Sequence, residues 1–210
     1  MMNRRALLTA VAGSAAVPGF ALATSPSTAQ SAVGKPAPPF EVIDSSKNKR
    51  TLAEFSGKLL VLEWTSPSCP FAKAQYTSGR MQELQKWAQQ KGVAWLTVLS
   101  SHPSRSDYLE PAKAEAFNRG RGAVPTALLI DANGAVGRAY GAKTANHMFI
   151  VDKDGTLAYA GGVDDGETMD PKKVLTAHNF VRPALEDLLA GKAVRVATTP
   201  PFGCALAYAG

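Results

Sequence analysis

Cys69 lies in Trp64-Thr65-Ser66-Pro67-Ser68-Cys69-Pro70-Phe71, directly after the apolar run Leu59-Leu60-Val61-Leu62. The apolar run reads as a buried strand, the Ser/Pro stretch as a tight loop, and the residues from Pro70 onward as a helix. A thiol at a helix N-terminus meets the positive end of the helix dipole and unpaired backbone N–H groups, which favour the thiolate. The thiolate is the nucleophile of thiol, disulfide and peroxide chemistry. The chain has one other cysteine, Cys204, six residues from the C-terminus. His102, His147 and His178 are far apart and lack metal-ligand spacing, and Asp164, Asp165 and Asp170 lack the ordered spacing of a calcium loop. These histidines and acids are expected at the surface, with no metal site and no cofactor.

The chain that must position Cys69 has 210 residues, enough for one full core. It is 45% hydrophobic and 19% charged, the balance of a soluble globular protein. The formal net charge of +6 includes Arg4 and Arg5. The one basic cluster, Lys47-Asn48-Lys49-Arg50, is expected in a solvated hairpin loop, and nothing resembles a nucleic-acid footprint. At the N-terminus, Arg4-Arg5 precede an apolar stretch over 6–16, a Pro18-Gly19 break and the small residues Ala21-Leu22-Ala23. This reads as an export signal over 1–23, since a membrane span needs about 20 apolar residues. The paired arginines point to the twin-arginine route and a periplasmic location. Residues 24–34 read as a flexible leader, with cleavage after Ala29 or Ala32 also open.

Further along, 40–43 alternates like a short strand and 51–55 reads as a single helical coil. Met81, Leu84, Trp87 and Ala88 recur at helical spacing, so the helix from Pro70 is expected to run to about Gln90 and stop at Gly92. Strands are expected over 93–99, 126–130 and 148–151, with a short helix over 111–119 and a turn at Asp131-Ala132-Asn133-Gly134. Asp152-Lys153-Asp154-Gly155 reads as a hairpin turn with a returning strand over 156–160. A C-terminal helix is expected over 171–189, its apolar face made by Val174, Leu175, Val181, Leu185, Leu188 and Leu189. The domain is expected over 35–191, followed by a Thr/Pro-rich tail over 192–210 that carries Cys204. Alternating strands and helices with a closing hairpin imply an α/β fold: a mostly parallel sheet with an antiparallel edge and helices on both faces.

This order, with a cysteine at the first strand-to-helix junction, resembles the thioredoxin fold: a central mixed sheet flanked by helices. The segment 33–57 is similar to the N-terminal extension of redoxins. The runs 64–71, 93–98, Val124-Pro125-Thr126, 137–144, 147–152, Tyr159-Ala160-Gly161, Asp164-Asp165 and Phe202-Gly203-Cys204 resemble a bacterial peroxiredoxin-like redoxin subgroup, of the alkyl hydroperoxide reductase and thiol-specific antioxidant type. The resemblance covers about 33–208. It implies a thiol-based oxidoreductase acting on a thiol or disulfide protein or a small peroxide, with an external thiol reductant.

The chain departs from the superfamily pattern at three places. Cys69-Pro70-Phe71-Ala72 puts Ala72 where thioredoxins hold a resolving cysteine. Leu62 and Ser66 stand where peroxiredoxins carry a proline and a threonine or serine, so Ser66 fits and Leu62 does not. Asn146 stands where a cis-proline usually faces the cysteine, and a cis bond before a non-proline residue costs roughly 2.5–4 kcal/mol, so a trans or strained peptide is expected there. The resemblance also places Glu63 where thioredoxins hold a buried acid that aids proton transfer. Arg138 is the candidate partner for an oxyanion or the thiolate.

An exported chain with two cysteines more often pairs them. Closing the loop between Cys69 and Cys204 adds roughly 4–5 kcal/mol in the chain-entropy model. Cys204 is therefore either a structural partner or the resolving thiol supplied from the tail. The leading expectation is an exported thiol oxidoreductase with Cys69 as a solvent-accessible attacking group and Cys204 as possible resolving thiol. The alternative is a non-enzymatic redoxin scaffold stapled by a Cys69–Cys204 disulfide. A weaker third reading is a metal chaperone using Cys69.

Overall fold

The structure is a computed structural model that describes residues 31–208. The export signal expected over 1–23 and the first part of the leader lie outside the described residues. Five strands form one sheet in the order β5-β4-β3-β6-β7. These are β3 (Leu60–Trp64), β4 (Ala94–Leu99), β5 (Ala127–Ile130), β6 (His147–Val151) and β7 (Leu157–Gly162). β3, β4 and β5 run parallel, whereas β6 is antiparallel to β3 and β7 to β6. β1 (Glu41–Ile43) and β2 (Lys49–Thr51) form a separate hairpin. The sheet is the mixed, hairpin-closed one expected from the sequence.

β3 is buried along its whole length because both faces are covered. Leu60, Leu62 and Trp64 point into a core with Phe40, Phe55, Tyr140 and Phe149. Leu59 and Val61 point into the opposite core with Tyr76, Trp95, Tyr159 and Leu185. The second core is roofed by α1 (Pro70–Thr77), α2 (Arg80–Gln90) and α6 (Val181–Leu189), and the first by the N-terminal hairpin segment and α4 (Ala135–Tyr140). α3 (Pro111–Gly120) buries Ala114 against Leu99 and Leu128.

The long helix expected from Pro70 to Gln90 is two helices. Gly79 takes φ +82°, which ends α1 and starts α2 at an angle only a residue without Cβ adopts at no steric cost. The C-terminal helix is also two, α5 (Pro171–Thr176) and α6. Between them the chain extends and pairs back on the loop after β7, through Phe180 N–H to the Val163 carbonyl and His178 N–H to Asp165. Of the apolar face expected there, Leu175 and Leu189 are exposed and the other four are buried. The α4 helix follows the 131–134 turn and is too short to show a period in the sequence. The basic cluster is also only partly a loop: Lys49 and Arg50 belong to β2, and Arg50 is paired with the buried Asp44 at 2.8 Å.

Two surface expectations fail. His147 is buried on β6 with its ring 4.3 Å from that of Phe149. Asp164 is buried and accepts a hydrogen bond of 2.7 Å from Gln75 of α1.

The tail is not loose. It runs beside β7, with a parallel bridge between Thr198 and Ala160, and returns over the loop before β6, with an antiparallel bridge between Ala205 and Thr144. Phe202 is buried and packs edge-on against Phe71.

Candidate active site

β3 delivers the chain to the site. Its last residue, Trp64, is locked on both edges: the indole donates to Ser100 at 2.9 Å, and the Trp64 carbonyl accepts Asn146 N–H at 2.8 Å. The loop then turns through Ser66, whose carbonyl accepts Cys69 N–H at 3.3 Å. Cys69 is the N-cap of α1 and Pro70 its first residue, so the sequence-predicted junction is where the thiol sits. Lys73 N–H closes the first helical turn on the Cys69 carbonyl.

Cys69 is only 1% exposed. The accessible thiol expected from the sequence is therefore covered in this conformation, and the cover is the tail. Cys69, Ala72 and Ala145 form a small apolar cluster against which Phe71 and Cys204 pack. Cys204 N–H donates to Cys69 Sγ at 3.2 Å, while the Cys204 carbonyl accepts Ala145 N–H at 2.9 Å. Both cysteines are free thiols. Burial, followed by the hydrogen bond to Cys69 and its charge, pushes the Cys204 thiol up to about 12.

Gly203 makes this approach possible. It holds φ +124°, and a Cβ there would lie 2.3 Å from the Ala145 carbonyl oxygen. Asn146, in the position of the missing proline, has φ +65° and is buried, with Nδ2 unpartnered. The described backbone contains no cis peptide. The sequence anticipated a trans or strained link at Asn146, and its conformation is both trans and left-handed. The left-handed region is one that asparagine tolerates better than most residues.

The remaining candidates do not converge on the sulfur. Glu63 is buried on the opposite core face, where its Oε1 accepts Tyr76 Oη–H at 2.7 Å. Its Oε2 accepts Trp95 Nε1–H at 2.8 Å, Gln85 Nε2–H at 3.0 Å and Thr97 Oγ1–H at 3.2 Å. Burial and then this nearby carboxylate push the Tyr76 phenol well above its ordinary value. The Ser66 hydroxyl shares a hydrogen bond with Ser68 and donates to Asp107 at 3.2 Å. Arg138 is exposed on α4, reaching the Asn133 carbonyl, with its guanidinium 5.4 Å from the Tyr208 ring centre. Among the described residues no hydrogen bond links Glu63, Ser66 Oγ or Arg138 to Cys69 Sγ.

The arginine that does border the site is Arg121, just after α3. A cleft of about 610 Å³ is lined by Pro67 from the Cys69 loop, Ala72 and Lys73 from α1, and Phe117 and Arg121 from the α3 end. No sequence signal marks Arg121, because it follows a helix with no motif around it and reaches the site only through the packing of α3. Among the described residues no cluster of three or more His, Cys, Asp or Glu side chains is arranged to hold a metal. No described helix is long and apolar enough to cross a membrane.

The profile of the AhpC/TSA family matches residues 33–160. Two solved structures align over 85% of this chain with a TM-score of 0.72. One is a hypothetical protein from Sinorhizobium meliloti, 24% identical and covered over 96% of its length. The other is an uncharacterized conserved protein from Geobacillus kaustophilus, 25% identical and covered over 93%. A candidate thiol:disulfide interchange protein DsbE from Chlorobium tepidum aligns over 70% of this chain and 98% of its own, at 18% identity and a TM-score of 0.52. These likenesses establish a thioredoxin-like α/β fold. No curated protein matches the chain.

Proposed function

The chain belongs to the AhpC/TSA family, and from that premise we propose that it is an exported thiol–disulfide oxidoreductase whose redox pair is Cys69 and Cys204. The observation that carries this reading is the contact of Cys204 N–H with Cys69 Sγ at 3.2 Å, made by a tail 135 residues away in sequence. Ala72 cannot resolve a mixed disulfide, and the contact with Cys69 supports Cys204 as the resolving thiol.

In the proposed cycle the tail first swings off, because a buried sulfur cannot meet an outside disulfide. The Cys69 thiolate attacks one sulfur of the substrate disulfide, and the other sulfur leaves as a thiolate that takes a proton from solvent. The tail returns, Cys204 loses its proton and attacks Cys69 Sγ, and the substrate departs as its second thiol. The chain is left with a Cys69–Cys204 disulfide, the substrate has gained two electrons, and an external thiol reductant reopens the bridge. A peroxide would instead convert Cys69 to a sulfenic acid with loss of an alcohol or water, and condensation with the Cys204 thiol would form the disulfide and release one water. Disulfide exchange is the better supported reading, since Leu62 replaces the peroxiredoxin proline and Ser66 Oγ is engaged by Ser68 and Asp107.

One observation favours the rival scaffold reading: Cys69 is sealed under well-packed tail residues. The two are separated by trapping free thiols in the mature protein and mapping both cysteines by mass spectrometry across a graded dithiol redox buffer. A catalytic pair opens and closes within the range of known exchange proteins. A structural bridge stays closed to potentials below about −300 mV. Export, inferred from Arg4-Arg5 and the apolar stretch after them, is tested by fractionating cells that express the full chain and the Arg4→Lys, Arg5→Lys variant.

A further inference from the structure

The cleft beside the Cys69 loop contains two cations and no carboxylate among its lining residues. Arg121 is held rigidly. Its Nε and Nη2 both donate to Asn118 Oδ1, at 3.1 and 2.7 Å, and its Nη1 donates to Thr65 Oγ1 at 3.0 Å. The guanidinium carbon lies 3.7 Å from the Tyr76 ring centre and 4.2 Å from that of Phe117. A guanidinium has five N–H donors, so these bonds leave one on each terminal nitrogen. All the acceptors are neutral, and among the described residues no salt bridge reaches Arg121 or Lys73.

The acids on either side do not serve as counter-ions. Glu63 lies behind the Tyr76 hydroxyl and takes four donors of its own. Asp107, on the loop side, is engaged by the Ser66 and Ser101 hydroxyls. A stacked, half-buried guanidinium with a spare donor on each terminal nitrogen and no counter-ion is suited to an anion. The aromatic walls and a volume of about 610 Å³ suit a small organic body attached to it.

We propose that this cleft is a subsite for an organic carboxylate with an aromatic or apolar body, carried by the small-molecule disulfide that Cys69 attacks. The link to Cys69 rests on the thiol-exchange reading, whereas binding of the anion does not. Pro67 precedes Cys69 and Lys73 closes the first helical turn after it, so an anion at Arg121 lies along the segment that presents the thiol.

Two measurements test this on the reduced full chain. Benzoate is titrated against the protein while the Arg121 Nε–H and the α1 amides are followed by NMR, with benzyl alcohol as the neutral control. Saturable shifts at Arg121 with benzoate alone are expected, with affinity lowered about threefold in Lys73→Gln and about tenfold in Arg121→Gln. Lys73 is exposed, so its variant keeps the fold if Arg121→Gln does not. Shifts that do not saturate, or that persist unchanged in both variants, overturn the subsite. In the second measurement, dithiobis(nitrobenzoate), which is dianionic, is compared with neutral dithiodipyridine as oxidant of Cys69. The ratio of their rates should fall about tenfold in Arg121→Gln and less in Lys73→Gln, with dithiodipyridine unaffected. An unchanged ratio removes the link to the substrate. If Cys69 reacts with neither disulfide, the thiol-exchange reading fails, and the benzoate titration still decides the subsite.

Discussion

The main-chain amide of Cys204 donates to Sγ of Cys69 at 3.2 Å. This bond places the tail cysteine beside the cysteine at the N-cap position of α1, the contact on which the proposed exchange rests. Oxidation should therefore yield a Cys69–Cys204 disulfide, detected by peptide mass mapping under non-reducing conditions. Cys69→Ser should abolish disulfide-reductase turnover. Cys204→Ser should still attack, and should accumulate a long-lived mixed disulfide at Cys69, because Ala72 offers no second thiol. Mixed disulfides that clear at the wild-type rate in Cys204→Ser would remove the tail from the cycle.

The cover over Cys69 depends on Gly203. A side chain there meets the Ala145 carbonyl oxygen at 2.3 Å and must adopt φ +124°, outside the range that branched residues accept. Gly203→Val should undock residues around Cys204 while leaving the sheet intact. Cys69 should then react with iodoacetamide at least about tenfold faster, corresponding to about 1.4 kcal/mol of lost docking free energy. An alkylation rate equal to wild type, with unchanged circular dichroism, would show that the tail does not gate the thiol.

The sequence made the strand-loop-helix around Cys69 legible because three local signals agree there: a continuous apolar run, Ser/Pro turn residues and a proline suited to the first helical position. The sheet followed from strand order and hairpin chemistry. The break at Gly79 did not, since Met81, Leu84 and Ala88 all lie in α2, beyond the break, and a single glycine is also tolerated inside a continuous helix. The break before α6 has no local signal for a different reason: there His178 and Phe180 pair with the loop after β7, a tertiary contact. The same holds at the site. The cysteine count points to Cys204, but its meeting with Cys69 is set by Phe202 packing on Phe71 and by backbone bridges to 143–145. Arg121 was illegible, because its role is defined by rings and hydrogen bonds from three other segments.

Glu63 bears on stability. Its carboxylate is buried and satisfies four donors at once, including the Trp95 indole and the Tyr76 phenol. Removing it orphans those donors in a dry core. Glu63→Leu should lower the unfolding free energy by about 3–5 kcal/mol, and Glu63→Gln, which keeps size and one acceptor, by less. Urea unfolding with unchanged m-values checks this. A loss under about 1 kcal/mol in Glu63→Leu would mean that the donors find other partners.

His147 makes stability depend on pH. It is buried on β6, its Nδ1 accepts Lys143 N–H at 3.2 Å, and burial, then the Lys143 charge, depress its pKa from 6.5 to about 4. The unfolded chain takes up a proton at this histidine as pH falls through 6.5, whereas the folded chain does so only near 4. The contribution is therefore fully present above about pH 6.5, declines between 6.5 and 4, and levels off below 4. The loss should approach about 3 kcal/mol at most. His147→Gln should flatten that part of the stability–pH curve. In the wild-type protein, the ring carbon resonances of His147 should titrate with a midpoint near 4. A midpoint near 6.5, the value of a solvated imidazole, would show that the ring is not sealed against Phe149 in solution.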